Sequence, residues 1–242
     1  MICRLKSMNY TRTFFEHSFI DQEVISLNKK DFHHEINVLR KKKGDKFVLF
    51  DGRGSSCLVE VTELKKRTFE IKIIKTFPEI PRFGIEINLG QALIKNNPFL
   101  FSVQKATELG VSKISPLLTE RVSVKRQNYS QLIEKSYQTA KGACEQCGEN
   151  WLPEITLPQP VLDWSSRCQA ETKIVLYPNA EKKLSDIVIK GSVSLAVGPE
   201  GDFTEKEIEF LTVNYGFVPV TIGKRILRAE TAAIAAISAL RY

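Results

Sequence analysis

Long apolar runs are missing from this sequence of 242 residues. Because a membrane-spanning helix needs about 18 or more consecutive apolar residues, we expect no transmembrane segment. The N-terminus carries charged residues without an apolar core, which argues against a secretory signal and favours a cytoplasmic protein. Cysteine is scarce and odd in number, at five, so a framework of disulfide bonds is not expected.

Several common catalytic and nucleotide-binding motifs are also missing. The sequence holds no G-x-G-x-x-G dinucleotide loop, no phosphate-binding P-loop and no G-x-S-x-G nucleophile elbow. Cys144 and Cys147 form a lone C-x-x-C, and Cys3, Cys57 and Cys168 supply no second pair at zinc-site spacing. We therefore expect neither a metal site nor a redox role for these cysteines.

An excess of basic residues is concentrated in the first third of the chain. Residues 1–82 hold 17 basic and 11 acidic side chains, a net charge of +6 out of the total of +7. A basic module beside a nearly neutral one is typical of a protein that binds a polyanion such as RNA. A lysine-rich solvated surface would have the same composition, so charge alone leaves both interpretations open.

The first third also has the pattern of a small β domain. Predicted strands at 46–50, 57–61 and 69–74 are separated by glycine turns, which indicates a small barrel, and a short helix is predicted over 31–39. Two prolines interrupt residues 76–81, so we place the domain boundary there.

The remainder alternates between strands and helices, which predicts an α/β domain with a largely parallel sheet. The predicted domains are therefore 1–76 and 84–242. The predicted strands of the second domain are 85–89, 173–177, 193–197 and 217–221, a short apolar segment covers 114–118, and the predicted helices are 98–109, 129–147, 204–213 and 229–240.

One strand-to-helix junction, residues 197–204, has the features of a binding loop. A buried-looking strand ends in a turn in which glycines flank Glu200, and Thr204 with Glu207 forms a capping box for the next helix. Ligands of α/β proteins bind at such carboxyl ends of strands. A plain tight turn would need the glycines for geometry alone, but it would not need a carboxylate between them.

The second junction, residues 222–232, follows a strand and opens the last helix. Lys224, Arg225 and Arg228 place three cations within five residues, and Glu230 follows them. Such a cluster suits an anionic ligand, although a solvated basic loop is the alternative. The small side chains of the following helix allow close backbone approach or simply favour helix formation.

Both junctions resemble those of the RsmE family, the 16S ribosomal RNA (uracil(1498)-N3)-methyltransferases of the SPOUT class. The family usually has glycine where Asp202 stands, proline at Lys224, threonine at Ala229 and serine at Val122, and residues 1–8 extend beyond its usual start. Similar stretches cover almost the whole chain in order, at 10–15, 33–34, 38–40, 44–45, 50–52, 91–95, 104–111, 116–117, 119–121, 145–146 and 176–178.

The resemblance implies a fold and a set of partners. The fold would be an N-terminal PUA-like β-barrel for RNA, followed by a SPOUT α/β domain with a trefoil knot in its C-terminal part, a rare exception to the rule against knots. The cofactor would be S-adenosylmethionine, the substrate 16S ribosomal RNA in the small ribosomal subunit, and the active unit a homodimer.

The resemblance also implies roles for particular residues. For catalysis it points to Arg228, Glu230 and Glu200, although Glu230 would equally suit the N-terminus of the last helix. The expected cofactor-binding residues are Leu176, Tyr177, Pro178, Val197, Gly198, Pro199, Glu200, Gly201, Ile222, Gly223, Ile226, Leu227, Arg228, Glu230, Thr231 and Ala232. The expected RNA-binding residues are Arg12, His34, Arg40, Lys41, Lys42, Lys43 and Arg121.

Two rival interpretations of the same sequence stay open. A degenerate methyltransferase fold could serve as a non-catalytic RNA-binding or ribosome-assembly factor, which would not bind cofactor. Another SPOUT activity could methylate ribose or a different base, which analysis of the methylated product would distinguish.

Overall fold

The computed structural model of the protein describes residues 10–19, 22–28, 41–82, 84–122 and 128–242. These residues form two compact units. The first extends to Arg82 and also takes in Glu145–Trp151, and the second holds the rest. The domains predicted from the sequence are 1–76 and 84–242. The second of these contains Glu145–Trp151, which the structure groups with the first unit.

Long-range hydrogen bonds explain why Glu145–Trp151 belongs to the first unit. The backbone N–H of Phe14 donates to Glu145 Oε1 at 3.1 Å, and the side-chain amide of Asn150 donates to the carbonyl of Gly54 at 3.2 Å. These partners are 131 and 96 residues apart in the chain, a separation over which local sequence patterns carry no information.

The first unit is built on a mixed sheet, whose strands are β1 (Arg12–Phe14), β2 (Val24–Asn28), β3 (Lys46–Phe50), β4 (Ser56–Leu64) and β5 (Thr68–Phe77). The strand order is β1-β3-β4-β5-β2, with β1 parallel to β3 and the other pairs antiparallel. Alternate residues of β4, namely Cys57, Val59 and Val61, are fully buried. Such alternation is what a sheet with one covered face requires.

The second unit is built on a parallel sheet, whose strands are β6 (Ile87–Ala92), β7 (Lys113–Leu118), β8 (Glu154–Ile155), β9 (Gln159–Pro160), β10 (Thr172–Leu176), β11 (Val193–Val197) and β12 (Val218–Val220). The order is β12-β10-β11-β6-β7-β8, and β9 also pairs with β7. Every residue of β11 is buried, because this strand has neighbours on both sides and both faces of a parallel sheet are covered.

Five helices accompany the described part of the second sheet: α1 (Asn96–Glu108), α2 (Ser130–Cys147), α3 (Val161–Ser166), α4 (Glu205–Tyr215) and α5 (Ala229–Arg241). Local signals set their ends. Thr204 and Glu207 form the predicted capping box at the start of α4, and Gly216 ends that helix in the left-handed conformation. In α5, Ala233, Ala236 and Ile237 form the fully buried stripe.

The predicted strands and helices that fall on described residues are present, with ends shifted by a few residues. The structure adds β1, β2, β8, β9 and α3, which are six residues or shorter. β1, β8 and β9 have only two or three residues and α3 spans less than two turns, so periodicity cannot identify them. β2 has five residues, as many as strands that were predicted, and its alternating pattern over Val24–Asn28 was missed. The predicted helix over 31–39 lies outside the described residues.

The described part of the chain holds no helix with the length and apolar character that crossing a membrane requires. Nor do its histidine, cysteine, aspartate and glutamate side chains come together in a group of three or more that could hold a metal ion.

Candidate functional site

A pocket with a volume of about 500 Å³ opens in the second unit, where β10, β11 and β12 end. These strands are parallel, so their carboxyl ends share one edge of the sheet, which is where α/β proteins bind ligands. Lys95, Arg225 and Arg228 contribute positive charge to its wall, and the carboxylates of the wall contribute negative charge. The lining consists of Lys95, Pro98, Leu176, Tyr177, Pro178, Val197, Gly198, Pro199, Glu200, Asp202, Val220, Thr221, Ile222, Arg225, Ile226, Leu227, Arg228, Ala229, Glu230 and Ala232.

One wall is the loop after β11, residues 198–204, which we call the glutamate loop. Gly198 is buried, and a Cβ placed on it would lie only 3.0 Å from Asp202 Oδ1 and 3.2 Å from the backbone nitrogen of Phe203. The loop therefore closes tightly over position 198, where only glycine fits without movement. Glu200 stands at its exposed tip.

Asp202 has an unusual backbone for a residue other than glycine. Its φ of 60° lies in the left-handed region, and its N–H donates to the carbonyl of Pro199 at 3.0 Å. Aspartate tolerates this conformation better than most residues, so it can stand where the resemblance led us to expect glycine. Its carboxylate Oδ1 accepts from the N–H of Phe203 at 2.8 Å. Burial raises the pKa of Asp202, against the lowering effects of that hydrogen bond and of Arg121.

Replacement of Asp202 with glycine is expected to keep the fold, since glycine adopts the same φ without strain. At acidic pH we expect stability within about 1 kcal/mol of wild type. A raised folded-state pKa means that wild type loses stability relative to Asp202→Gly as pH rises through that pKa. Urea denaturation between pH 3 and pH 7 would measure the difference, and a variant advantage that shrinks with rising pH would contradict this account.

The opposite wall is the loop after β12, residues 221–228, which we call the arginine loop. Thr221 Oγ1 donates to the carbonyl of Gly223 at 3.0 Å, and the N–H of Thr221 donates to the carbonyl of Lys182 at 2.9 Å. Gly223 has a φ of 155°, a conformation that L side chains rarely adopt. Arg228 ends the loop as the N-cap residue of α5, and its exposed side chain makes no capping hydrogen bond.

The predicted cofactor residues come together in space. All of them line the pocket except Gly201, Gly223 and Thr231. Gly201 and Gly223 nevertheless belong to the two loops that form its walls, and Thr231 is in the first turn of α5 next to lining residues. The predicted catalytic residues Arg228, Glu230 and Glu200 all line it.

Several lining residues were missed by the sequence prediction. Lys95 and Pro98 follow β6, which pairs directly with β11 in the sheet. The rule that neighbouring strand ends share an edge would have identified them, but only with the strand order known. Four other missed residues lie in the two loops or at the ends of the adjoining strand and helix: Asp202, Val220, Thr221 and Ala229. Arg225 also lines the pocket; the sequence placed it in the cation cluster but not among the cofactor-binding residues.

The predicted RNA-binding residues lie in different environments. Arg12 is partly buried: its Cζ lies 4.9 Å from the centre of the Phe50 ring, and its Nη2 donates to Asn150 Oδ1. These contacts give Arg12 a structural role in the first unit, and its phosphate contact stays a prediction. Lys41 Nζ donates to Thr11 Oγ1 at 2.7 Å.

The remaining predicted RNA-binding residues divide into three groups. Lys42 and Lys43 have exposed side chains just before β3. Arg121 belongs to the second unit, where its Nη1 donates to the carbonyl of Gly201 in the glutamate loop at 2.9 Å. His34 and Arg40 lie outside the described residues.

Comparisons with known protein families and sequences point in one direction. Residues 81–241 match the family described as RNA methyltransferase domain, and residues 27–74 match the RNA methyltransferase PUA domain. The chain is 38% identical over 234 residues to ribosomal RNA small subunit methyltransferase E of Buchnera aphidicola subsp. Schizaphis graminum, with 95% of each chain covered. It is 31% identical to the Bacillus subtilis protein of the same name, over 90% of this chain and 89% of that one.

Solved structures give the same result. A Legionella pneumophila protein solved in complex with the cofactor S-adenosylmethionine superposes with a TM-score of 0.89 and 32% identity, covering 96% of both chains. Ribosomal RNA small subunit methyltransferase E from Neisseria gonorrhoeae, bound to S-adenosylmethionine, superposes with a TM-score of 0.87 and 31% identity, covering 95% of this chain and 96% of that one.

Proposed function

This chain belongs to the ribosomal RNA small subunit methyltransferase E family, and from that membership we propose that it methylates N3 of one uracil, position 1498, in the 16S ribosomal RNA of the small subunit. The methyl donor is S-adenosylmethionine. The observation that carries the proposal is the pocket at the carboxyl ends of β10, β11 and β12, which the two junction loops enclose.

The lining of this pocket fits the cofactor. A volume of about 500 Å³ is within the usual range for small-molecule sites. Leu176, Val197 and Leu227 offer apolar surface for adenine, and backbone groups at the strand ends suit its polar edges. The sulfonium and the amino-acid part of the cofactor carry both signs of charge, and the pocket wall likewise holds lysine and arginine together with glutamate and aspartate.

The reaction sets two tasks for the residues of this chain. S-adenosylmethionine supplies an electrophilic methyl group, but neutral uracil N3 carries a proton and is a poor nucleophile. Glu200 or Glu230 accepts that proton, directly or through water. Arg228 stabilises the negative charge that develops on O2 and O4 of the base as the proton leaves. Since N3 lies on the pairing edge, the uracil must be unpaired or splayed out when it reaches the pocket.

The first unit supplies affinity for the RNA. Lys42 and Lys43 have exposed side chains in one turn, and we propose that they contact phosphates, which adds affinity without sequence choice. His34, Arg40 and Lys41 are proposed to contact RNA as well. Arg121, beside the glutamate loop, is proposed to contact RNA close to the target base.

The proposal includes finer features of the fold and assembly. We propose that the second unit is a SPOUT domain with a trefoil knot, which the parallel order β12-β10-β11-β6 and the packing of α5 on α1 and β11 support. We further propose a cytoplasmic homodimer. Sedimentation should then give twice the chain mass of 27.4 kDa.

Calorimetric titration with S-adenosylmethionine tests the proposed function. We expect wild type to bind and Gly223→Val to bind at least 10- to 100-fold more weakly, because valine cannot hold the backbone of the arginine loop without strain. No atom lies within 4 Å of a Cβ placed on Gly223, so the effect acts through the loop conformation. Glu200→Ala is the matched variant, since it replaces a residue other than glycine and so introduces no such backbone strain. Its affinity for S-adenosylmethionine should be closer to that of wild type.

The substrate is then tested by methyl transfer to small ribosomal subunits. N3-methyluridine in the digested RNA supports the proposed chemistry, whereas methylated ribose or another methylated base would indicate a different activity on the same fold. A folded wild-type protein that binds no cofactor with or without RNA would instead favour a non-catalytic RNA-binding factor.

A further inference from the structure

Glu207 is a buried carboxylate that does more than cap its helix. It lies in the first turn of α4 and is only 5% exposed. Its Oε2 accepts from the backbone N–H of Thr204 at 2.8 Å and from the hydroxyl of Thr204 at 3.3 Å, while its own N–H donates to that hydroxyl oxygen at 3.2 Å. These contacts complete the capping box and leave Oε1 for another partner.

The partner of Oε1 comes from a distant part of the chain. The backbone N–H of Glu120 donates to it at 2.9 Å, although the two residues are 87 positions apart. Glu120 belongs to the loop after β7, and its neighbour Arg121 donates to the carbonyl of Gly201 at 2.9 Å. We call these two hydrogen bonds the loop bridge.

The sheet order shows what the loop bridge spans. β6 lies between β7 and β11, so the loops that follow β7 and β11 meet across the carboxyl end of β6. The residues after β6 include Lys95, which lines the pocket. The bridge therefore holds the glutamate loop to a neighbouring loop at the edge of the sheet where the pocket opens.

A helix cap does not require this arrangement. A carboxylate that capped α4 alone could leave its second oxygen in water, whereas burial of that oxygen is costly unless a donor satisfies it. The N–H of Glu120 satisfies it with a charge-assisted hydrogen bond, which is stronger than a neutral one. The burial of Glu207 is thus coupled to the position of the loop after β7.

We propose that Glu207 is a positioning residue for the cofactor pocket: through the loop bridge it holds the part of the glutamate loop from Gly198 to Asp202 in its binding conformation before the cofactor arrives. Preorganisation of this kind increases affinity because less ordering remains to be done on binding. The inference rests on the proposed function, since it assigns Glu207 to the binding of S-adenosylmethionine.

The test compares Glu207→Ala with Thr204→Ala, a matched variant that weakens the same capping box but leaves the hydrogen bond from Glu120 in place. We expect Glu207→Ala to bind S-adenosylmethionine roughly 10- to 100-fold more weakly than wild type, and Thr204→Ala to stay within a few-fold of it. Glu207→Gln should be intermediate, because its single carbonyl oxygen can accept from only one of the two loops.

Two further measurements separate positioning from stability. In methyl transfer, Glu207→Ala should raise the KM for the cofactor while kcat at saturation changes much less. The amide proton of Glu120 should exchange faster with solvent in Glu207→Ala and keep its protection in Thr204→Ala. If Glu207 served only as a helix cap, Glu207→Ala and Thr204→Ala would have similar effects on the KM for the cofactor and on amide exchange at Glu120.

The outcomes are distinguishable. If wild type binds the cofactor and Glu207→Ala binds it as tightly as Thr204→Ala does, Glu207 has no positioning role and the proposed function stands. If wild type itself binds no cofactor, both proposals fail together. If Glu207→Ala does not fold, the comparison between Glu207→Gln and Thr204→Ala decides, and Gln must bind more weakly than the threonine variant for the inference to hold.

Discussion

Replacement of Arg228 with alanine is expected to lower the rate of methyl transfer by roughly 10²- to 10³-fold at saturating cofactor and saturating small ribosomal subunits, the usual effect of removing one group that stabilises a developing anion. Arg228 lines the pocket at the start of α5, and its guanidinium is permanently charged. Because its side chain makes no capping hydrogen bond, alanine should leave α5 intact. The loss should therefore appear in kcat rather than in stability.

Lys224→Ala is the matched control for this prediction. Lys224 is an exposed cation of the same loop that does not line the pocket. Its removal should weaken binding of the ribosomal subunit slightly and leave kcat near wild type, whereas Arg228→Lys should retain part of the activity through charge alone. A kcat for Arg228→Ala within about threefold of wild type would remove Arg228 from the proposed chemistry.

The largest effect on stability is expected at Arg241, near the C-terminus. Its Nε donates to the carbonyl of Leu109 at 3.1 Å, its Nη1 to that of Ile85 at 2.7 Å, and its Nη2 to that of Gly110. Two of these carbonyls follow the last turn of α1, where the helix has no donors of its own to offer. We expect Arg241→Ala to lower the free energy of unfolding of the second unit by about 2–4 kcal/mol, because three carbonyls lose a charged donor.

Urea denaturation, followed by the fluorescence of Trp164 in the second unit with Trp151→Phe as the common background, would measure this loss. Tyr242→Ala is the control, since the Tyr242 side chain is 87% exposed and should contribute less than about 0.5 kcal/mol. Arg241→Lys keeps the charge but cannot reach all three carbonyls, so its stability should lie between those of the alanine variant and wild type. Equal stability of Arg241→Ala and Tyr242→Ala would show that the three hydrogen bonds do not hold α5 to α1.

The parts of the fold that could be predicted from the sequence are those with local sequence signals. The strand 193–197 and the last two helices were predicted close to their observed bounds. Thr204 and Glu207 marked the start of α4, whereas its end, which the structure places before Gly216, was predicted two residues early. β8 and β9 consist of two residues each. Such strands exist because β7 offers a partner, so their own sequence holds too little pattern to reveal them.

The candidate site likewise has parts that local sequence could reveal and parts that depend on the strand order. The two junction loops could be recognised because glycines, a capping box and clustered charges lie close together in sequence. Lys95 could not be assigned to the pocket, since its place there depends on β6 lying beside β11. Nor could the sequence show that the fold brings Phe50 and Asn150 to the guanidinium of Arg12.

The sequence by itself determined the α/β character, most helix ends and the two loops that line the pocket, because these depend on contacts between residues a few positions apart. Only the tertiary structure decided the strand order, the assignment of Glu145–Trp151 to the first unit, and the loop bridge from Glu120 to Glu207. Each of these is a choice among partners that are far apart in the chain. The choice is made by burial and by the need of every buried donor and acceptor for a partner, and neither exists before the chain is folded.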